Sequence, residues 1–260
     1  FLLFGTTGSG KTEIYLRCVQ TLLDANEKSQ ALVMVPEINL TPQLEARFQA
    51  RFAEVGVVSL HSAMTPAQRL KAWLAARSGA ARIVLGTRMA IFASMPHLGL
   101  IVVDEEHDPS YKSQEGARYS ARDLAVYRAK QEGVKVILGS ATPSLESWHH
   151  SRPADEGGRY VRLQMPSRVG TTVLPRVRRV NMKNQPRDTI FSAPLLDAMQ
   201  ERIARGEQCM VFLNRRGYAP ILHCDACGWR CACPYCSAFR VFHKTDRTLR
   251  CHHCSFTEAV

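Results

Sequence analysis

Gly5-Thr6-Thr7-Gly8-Ser9-Gly10-Lys11-Thr12 decides the fold class of this chain. It fits the phosphate-loop pattern G-x-x-x-x-G-K-[ST] at every fixed position. The glycines permit left-handed backbone and let amide N–H groups face an anion. A helix that starts where such a loop ends adds the positive end of its dipole. The flanks agree: residues 1–4 are apolar, as a buried strand requires, and residues 12–25 carry a helical pattern. On this reading Gly5, Thr6, Thr7, Gly8, Ser9 and Gly10 wrap the phosphates of ATP. Lys11 reaches the β- and γ-phosphates, and Thr12 offers its hydroxyl to Mg2+.

Outward from the loop, short apolar runs recur at residues 31–35, 57–60, 82–85, 100–103 and 135–138. Each is short, mostly apolar and bounded by polar or glycine residues, the pattern of parallel strands buried on both faces. Helical stretches at 41–51, 66–77 and 120–132 lie between them. Strands alternating with helices predict an α/β domain with a parallel sheet over residues 1–150. Residues 151–190 contain Pro153, Pro166, Pro175 and Pro186 with many arginines, and read as a linking connection. A helix over 195–205 and a strand over 208–213 then open a second sheet within residues 191–222, and residues 223–260 are rich in cysteine.

The run Leu100-Ile101-Val102-Val103 ends in Asp104-Glu105-Glu106-His107. An acid at a strand end lies at the carboxyl edge of the sheet, beside the phosphate loop, where Asp104 can hold Mg2+ through water. Glu105 is then placed to orient and deprotonate an attacking water. Glu106 and His107 can stand at the surface. Gly139-Ser140-Ala141-Thr142-Pro143 follows the strand at 135–138, and hydroxyls there can sense a γ-phosphate.

Gly-Ser-Gly-Lys-Thr, Asp-Glu-Glu-His and Gly-Ser-Ala-Thr, in this order, resemble motifs I, II and III of the superfamily 2 helicases. Residues 36–43 resemble motif Ia, Gly86-Thr87-Arg88 motif Ib, and residues 212–218 motif IV. With the segment after His107 and the cysteine pairs, the whole chain is similar to the bacterial replication-restart (primosomal) helicase family. The resemblance implies a RecA-like lobe and the start of a second such lobe interrupted by a zinc module. It gives His107, Ser140 and Thr142 a coupling role. It also implies that residues 108–122 form an aromatic loop joining DNA binding to ATP hydrolysis, with Tyr111 and Tyr119 stacking bases and Lys112, Arg118 and Arg88 on phosphates.

Seven of the nine cysteines fall between Cys224 and Cys254. Cys224/Cys227, Cys233/Cys236 and Cys251/Cys254 are Cys-x-x-Cys pairs, each able to chelate one edge of a tetrahedral Zn2+. Two pairs close a site and the third is left unmatched. The resemblance implies four such pairs and two structural zincs in the family. The inner pairs Cys233, Cys236, Cys251 and Cys254 then share one ion, and Cys224 and Cys227 await a fourth pair. Cys231 is an extra thiol, and His223, His252 and His253 could substitute as ligands, although all-thiolate sites fit the spacing better. Cys18 and Cys209 read as small core residues.

The chain has 260 residues, 34 Lys plus Arg against 23 Asp plus Glu, and a net charge of +11, which favours a polyanionic partner. No apolar run approaches the roughly 20 residues of a membrane span. The start has no basic segment or cleavage site and no Met, and reads as the interior of a longer protein. The resemblance implies an ATP-dependent 3′→5′ DNA helicase acting on forked and single-stranded DNA. Its partners would be primosome proteins, the replicative helicase and single-stranded-DNA-binding protein, in the bacterial cytoplasm at the nucleoid. Such enzymes need arginines from a second lobe, so this chain alone is expected to bind nucleotide and hydrolyse it poorly. The residues themselves also admit another superfamily 2 translocase, of restriction or RNA type, or a zinc-stabilised nucleotide switch.

Overall fold

The computed structural model describes the chain apart from residues 37–41, 114–115, 171–175, 186–189, 213–221, 223, 225, 237 and 253. It divides into two units, Phe1–Pro175 and Arg176–Val260.

In the first unit strands and helices alternate as β1 (Leu2–Gly5), α1 (Lys11–Ala25), β2 (Gln30–Met34), α2 (Pro42–Arg51), β3 (Val57–Leu60), α3 (Pro66–Ser78), β4 (Ile83–Gly86), β5 (Leu98–Val103), α4 (Ala121–Glu132), β6 (Lys135–Ser140), α5 (Leu145–His150) and β7 (Arg162–Met165). The seven strands form one sheet in the order β3-β4-β2-β5-β6-β1-β7, and every pairing is parallel.

Side chains alternate across this sheet, so each central strand feeds two cores. Leu3, Val33, Leu85 and Val102 face α1 and α2, where Tyr15, Val19, Leu23, Phe48 and Phe52 are buried. Leu2, Met34, Val84, Ile101 and Val103 face the other way, onto Ala72 and Ala76 of α3 and Ala121, Ala125 and Ala129 of α4. Alanines four apart let these helices approach the sheet closely. That double burial is why the strands are apolar at both alternate positions and legible in the sequence.

Capping explains the helix limits. Thr65 and Gln68 form a reciprocal capping box at the start of α3, and Gly79 and Gly133 end α3 and α4 in left-handed backbone. Arg82 donates to the carbonyls of Leu23, Asn26 and Ser29, closing the end of α1.

The stretch read as a linking connection carries β7, paired with β1 in the register Leu2↔Arg162 to Gly5↔Met165. As an edge strand it is only half covered, so it lacks an apolar run. Its anchor is Arg162, whose guanidinium stacks 3.6 Å from the Trp148 ring centroid.

The second unit holds α6 (Ala193–Ala204) and an antiparallel ribbon of β8 (Val241–His243), β9 (Thr248–Arg250) and β10 (Thr257–Ala259). The strand expected over 208–213 is not found among the described residues: residues 208–212 have no ladder partner there, and Leu213 lies outside them. An apolar run becomes a strand only where a neighbour accepts its hydrogen bonds. Cys209 is exposed rather than a core residue, whereas Cys18 is half-buried against α1's own core.

Candidate functional site

The strand order places β6 between β1 and β5, so the segments leaving these three strands emerge side by side at the carboxyl edge. Open α/β sheets bind ligands at this edge. The loop leaving β1 turns into α1 through Gly10, whose φ of 93° is left-handed backbone that a side chain would strain. Lys11 Nζ donates to the Gly5 carbonyl at 2.9 Å and lies 3.7 Å from Glu105 Oε1. Thr7, Gly8, Lys11, Thr12, Asp104 and Glu105 line a cavity of ≈ 510 Å³, room enough for a nucleotide. Ser9 is buried beneath it, and among the described residues the buried Thr6 Oγ1 has no hydrogen-bond partner. Beyond β7 the Val169 amide donates to the Gly8 carbonyl at 3.0 Å, strapping the phosphate loop. Nothing in the sequence pattern signalled that strap.

Tyr15 is a second residue the sequence did not reveal. Its hydroxyl donates to Asp104 Oδ1 at 2.9 Å from inside the core. Gly139 makes this reach possible: a Cβ there would lie 1.6 Å from the Tyr15 hydroxyl oxygen. Burial pushes the Asp104 carboxyl above its ordinary range, and the Tyr15 hydrogen bond opposes the shift without cancelling it. Burial, then the Asp104 charge, pushes the Tyr15 phenol well up, so it remains a donor. A carboxyl whose pKa is raised by folding favours the fold below its unfolded pKa, and that contribution is lost as pH rises through the folded pKa. Ionised Asp104 therefore costs stability at neutral pH. Asp104→Asn should melt above wild type at pH 7, with the difference shrinking as pH falls to about 3.9. A lower melting temperature at pH 7 would contradict this.

Glu106 is not a surface residue, whereas His107 stands exposed. Glu106 is 1% exposed. It accepts hydrogen bonds from the Ser144 amide at 2.7 Å, Ser147 Oγ at 2.8 Å, Ser144 Oγ at 3.1 Å and Arg122 Nη1 at 3.4 Å. Its own amide donates to Gly139. The carboxylate thus ties the end of β5 to the first turns of both α4 and α5. His107 Nδ1 lies 2.7 Å from Ser140 Oγ and its Nε2 lies 3.4 Å from Thr142 Oγ1. Ser140 Oγ also accepts the Thr142 amide at 2.9 Å. The acidic run after β5 and the hydroxyl turn after β6 are therefore one hydrogen-bonded assembly. No sequence pattern singled out Ser144, and Glu106 is one acid among three in its run.

The loop expected to stack bases is built differently. Tyr111 is 2% exposed, and its hydroxyl donates to the Asp104 carbonyl at 2.7 Å. It is a core residue with no open face for a base, because a tyrosine so near the strand end is drawn under the loop by that carbonyl. Arg88 spends Nη1 on the carbonyls of Ser110 and Lys112, at 3.2 and 3.1 Å, holding the loop down. Lys112 and Arg118 are exposed, and Tyr119 is half-buried with its ring edge-on to Phe92 at 4.9 Å. Gln114 and Glu115 lie outside the described residues, as do residues 37–41 of the motif Ia stretch and 213–218 of the motif IV stretch.

In the second unit Cys233, Cys236, Cys251 and Cys254 place their sulfur atoms within 4.8 Å of one another. The closest pairs are Cys233–Cys254 at 3.5 Å and Cys236–Cys251 at 3.4 Å. A tetrahedron of thiolates about 2.3 Å from one zinc has edges of about 3.8 Å, so the set fits that ion. A hydrogen bond from Ala238 draws the Cys236 thiol down, but burial and the Cys251 and Cys233 sulfurs outweigh it and push it up to about 12. A bound cation would turn the Cys236 thiol into a thiolate at neutral pH. Among the described residues the ribbon buries Cys231, Cys233, Leu249 and Cys251, a small apolar core that a metal would reinforce. Cys231 packs inside without joining the four. Cys224 and Cys227 are outside the cluster, His252 meets His243 instead, and His223 and His253 lie outside the described residues.

A parallel sheet carrying a phosphate loop, paired acids and a hydroxyl turn on neighbouring strand ends defines a RecA-like helicase lobe. Residues 1–150 match the DEAD/DEAH box helicase family, and the chain belongs to it. Residues 233–258 match the PriA DNA helicase Cys-rich region (CRR) domain. Over its full length the chain is similar to replication restart protein PriA, with 45% identity to that of Haemophilus influenzae and 41% to that of Bacillus subtilis. It spans about a third of those proteins, 35% and 32%. Among solved structures, RecG bound to a three-way DNA junction matches at 22% identity and a TM-score of 0.48, over 79% of this chain and 25% of that one.

Proposed function

We propose that this chain is the nucleotide-binding and zinc-binding part of an ATP-dependent 3′→5′ DNA helicase that acts at stalled or collapsed forks in replication restart. The observation that carries the reading is the joint assembly of the phosphate loop, Asp104–His107 and Ser140–Thr142 in a chain similar from end to end to PriA. Gly5 to Gly10 cradle the phosphates, Lys11 meets the β- and γ-oxygens, and Thr12 and Asp104 would hold Mg2+. That ion supplies charge neutralisation on the phosphates when bound. Glu105 orients the attacking water and takes its proton. His107 passes the state of this site to Ser140 and Thr142, and Arg88, Lys112, Arg118 and Tyr119 face DNA.

The partners of the full-length protein would be forked and single-stranded DNA, primosome proteins, the replicative helicase and single-stranded-DNA-binding protein. Its place would be the bacterial cytoplasm, at the nucleoid. Among the described residues no helix is long and apolar enough to cross a membrane. Strand displacement by the full-length protein tests the activity. Forked DNA with a single-stranded 3′ arm on the tracking strand should be opened with ATP. Opening only of 5′-tailed substrates, or only of RNA, would overturn the reading.

Two zincs are proposed for the full-length protein, one of them held by Cys233, Cys236, Cys251 and Cys254. Metal analysis of this chain should find about one tightly held zinc. Cys251→Ser should lose it, while Cys224→Ser keeps it. Metal retained by Cys251→Ser would contradict the assignment.

A further inference from the structure

Residues 55–103 contain no Asp or Glu, yet carry Arg69, Lys71, Arg77, Arg82 and Arg88. Arg82 is used up in closing α1. Arg88, in the turn after β4, and the first turns of α3 with Arg69 stand at the same carboxyl edge as the phosphate loop but at the far end of the sheet, and α3 carries Lys71 and Arg77 back toward the amino edge. Between these two elements runs a groove of ≈ 410 Å³, lined by Pro66, Arg69, Leu70, Trp73, Met89 and Phe92. Phe92 is 59% exposed, with the Tyr119 ring held edge-on against it at 4.9 Å. Arg77 stands 5.4 Å from the Trp73 ring centroid. Arg69 gives one terminal nitrogen to the Met64 carbonyl, while its buried Nε has no hydrogen-bond partner among the described residues.

An exposed aromatic face beside a segment with cations and no acids suits a base with its phosphate, and the acids that α4 brings near, Asp123 and Glu132, are paired with Arg122 and Arg128. A peptide helix docking on this apolar groove would need acids of its own to balance the same cations. We propose that Phe92, braced by Tyr119, is a stacking platform for an unpaired base of single-stranded nucleic acid, with Trp73 in the adjoining groove and Arg69, Lys71 and Arg77 on the neighbouring phosphates. This goes beyond the motif Ib arginine and replaces the stacking face that Tyr111, buried in the core, does not provide. It rests on the helicase reading above.

The platform predicts a loss specific to single strands. In the full-length protein, Phe92→Ala should weaken binding of fluorescein-labelled oligo-dT by roughly 5- to 100-fold, the usual worth of one stacked base. Because Phe92 is exposed, its melting temperature and its ATP hydrolysis without DNA should stay at wild-type values. Phe92→Trp should bind like wild type, and its added indole fluorescence should be quenched by oligo-dT. Lys71→Ala should flatten the slope of log affinity against log salt by about 0.7. If wild type binds oligo-dT and Phe92→Ala binds it equally well, the platform is overturned and the groove is left to a protein partner. If wild type itself does not bind oligo-dT, the helicase reading fails and the platform with it.

Discussion

Glu106→Ala is expected to destabilise the first unit by about 3–5 kcal/mol, the usual cost of removing one partner from a buried charged network. Four donors converge on this carboxylate, from Ser144 Oγ, Ser147 Oγ, the Ser144 amide and Arg122 Nη1. None of them gains water when it goes, because the site is closed: Glu106 is 1% exposed, and the Arg122 side chain only 19%. For a unit of this size the loss corresponds to a melting temperature lower by about 6–20 °C. Glu106→Gln keeps one acceptor oxygen but turns an N–H₂ toward donors, and should fall between Ala and wild type. Thermal unfolding read by circular dichroism separates the three. A Glu106→Ala protein that melts with wild type would mean that the network is an incidental contact. The same carboxylate joins the strand carrying Asp104 to the helices that follow the loop and the Ser140–Thr142 turn. Glu106→Gln, if it folds, should therefore lose DNA stimulation of hydrolysis more than basal hydrolysis.

The second large effect is catalytic. Lys11→Ala should lower ATP hydrolysis by about 10²–10³-fold, the typical loss on removing one fixed charge from developing phosphoryl or oxyanion charge. Lys11 Nζ already lies in the cavity, within 2.9 Å of the Gly5 carbonyl and 3.7 Å of Glu105. Its charge is thus pre-positioned and needs little reorganisation. The substitution leaves the apolar faces of β1 and α1 untouched, so near-wild-type melting should accompany the loss of turnover. Hydrolysis retained within a few fold would contradict the role given to this loop.

Much of the first unit was legible because its information is local. A strand buried on both faces must be largely apolar, and β4, β5 and β2 beyond Gln30 are. The phosphate loop and the Asp104–Glu105 pair announce themselves because backbone geometry fixes their residue types. The cysteine spacing was equally plain, and the inner pairs come together as the family resemblance implied. What escaped depends on contacts made across the sheet. Glu106, Tyr15 and Tyr111 look like ordinary acids and aromatics in one dimension. Their burial follows only once β6 separates β1 from β5 and brings Gly139, Ser144 and α4 against them. β7 was unreadable for a different reason: an edge strand half open to solvent tolerates Arg162 and Gln164 where a central strand would not. Cys209 was misjudged because an apolar run was taken for a strand that has no partner among the described residues.

On the proposed function, the phosphate loop and the acids beside it drive work on DNA. The most direct test is the steady-state ATP hydrolysis rate of the full-length protein with and without single-stranded DNA, in Mg2+, for wild type and Lys11→Ala. The predicted result is a wild-type rate that rises severalfold when oligo-dT is added, and a Lys11→Ala rate at background under both conditions. A wild-type rate that is the same with and without DNA would contradict the claim.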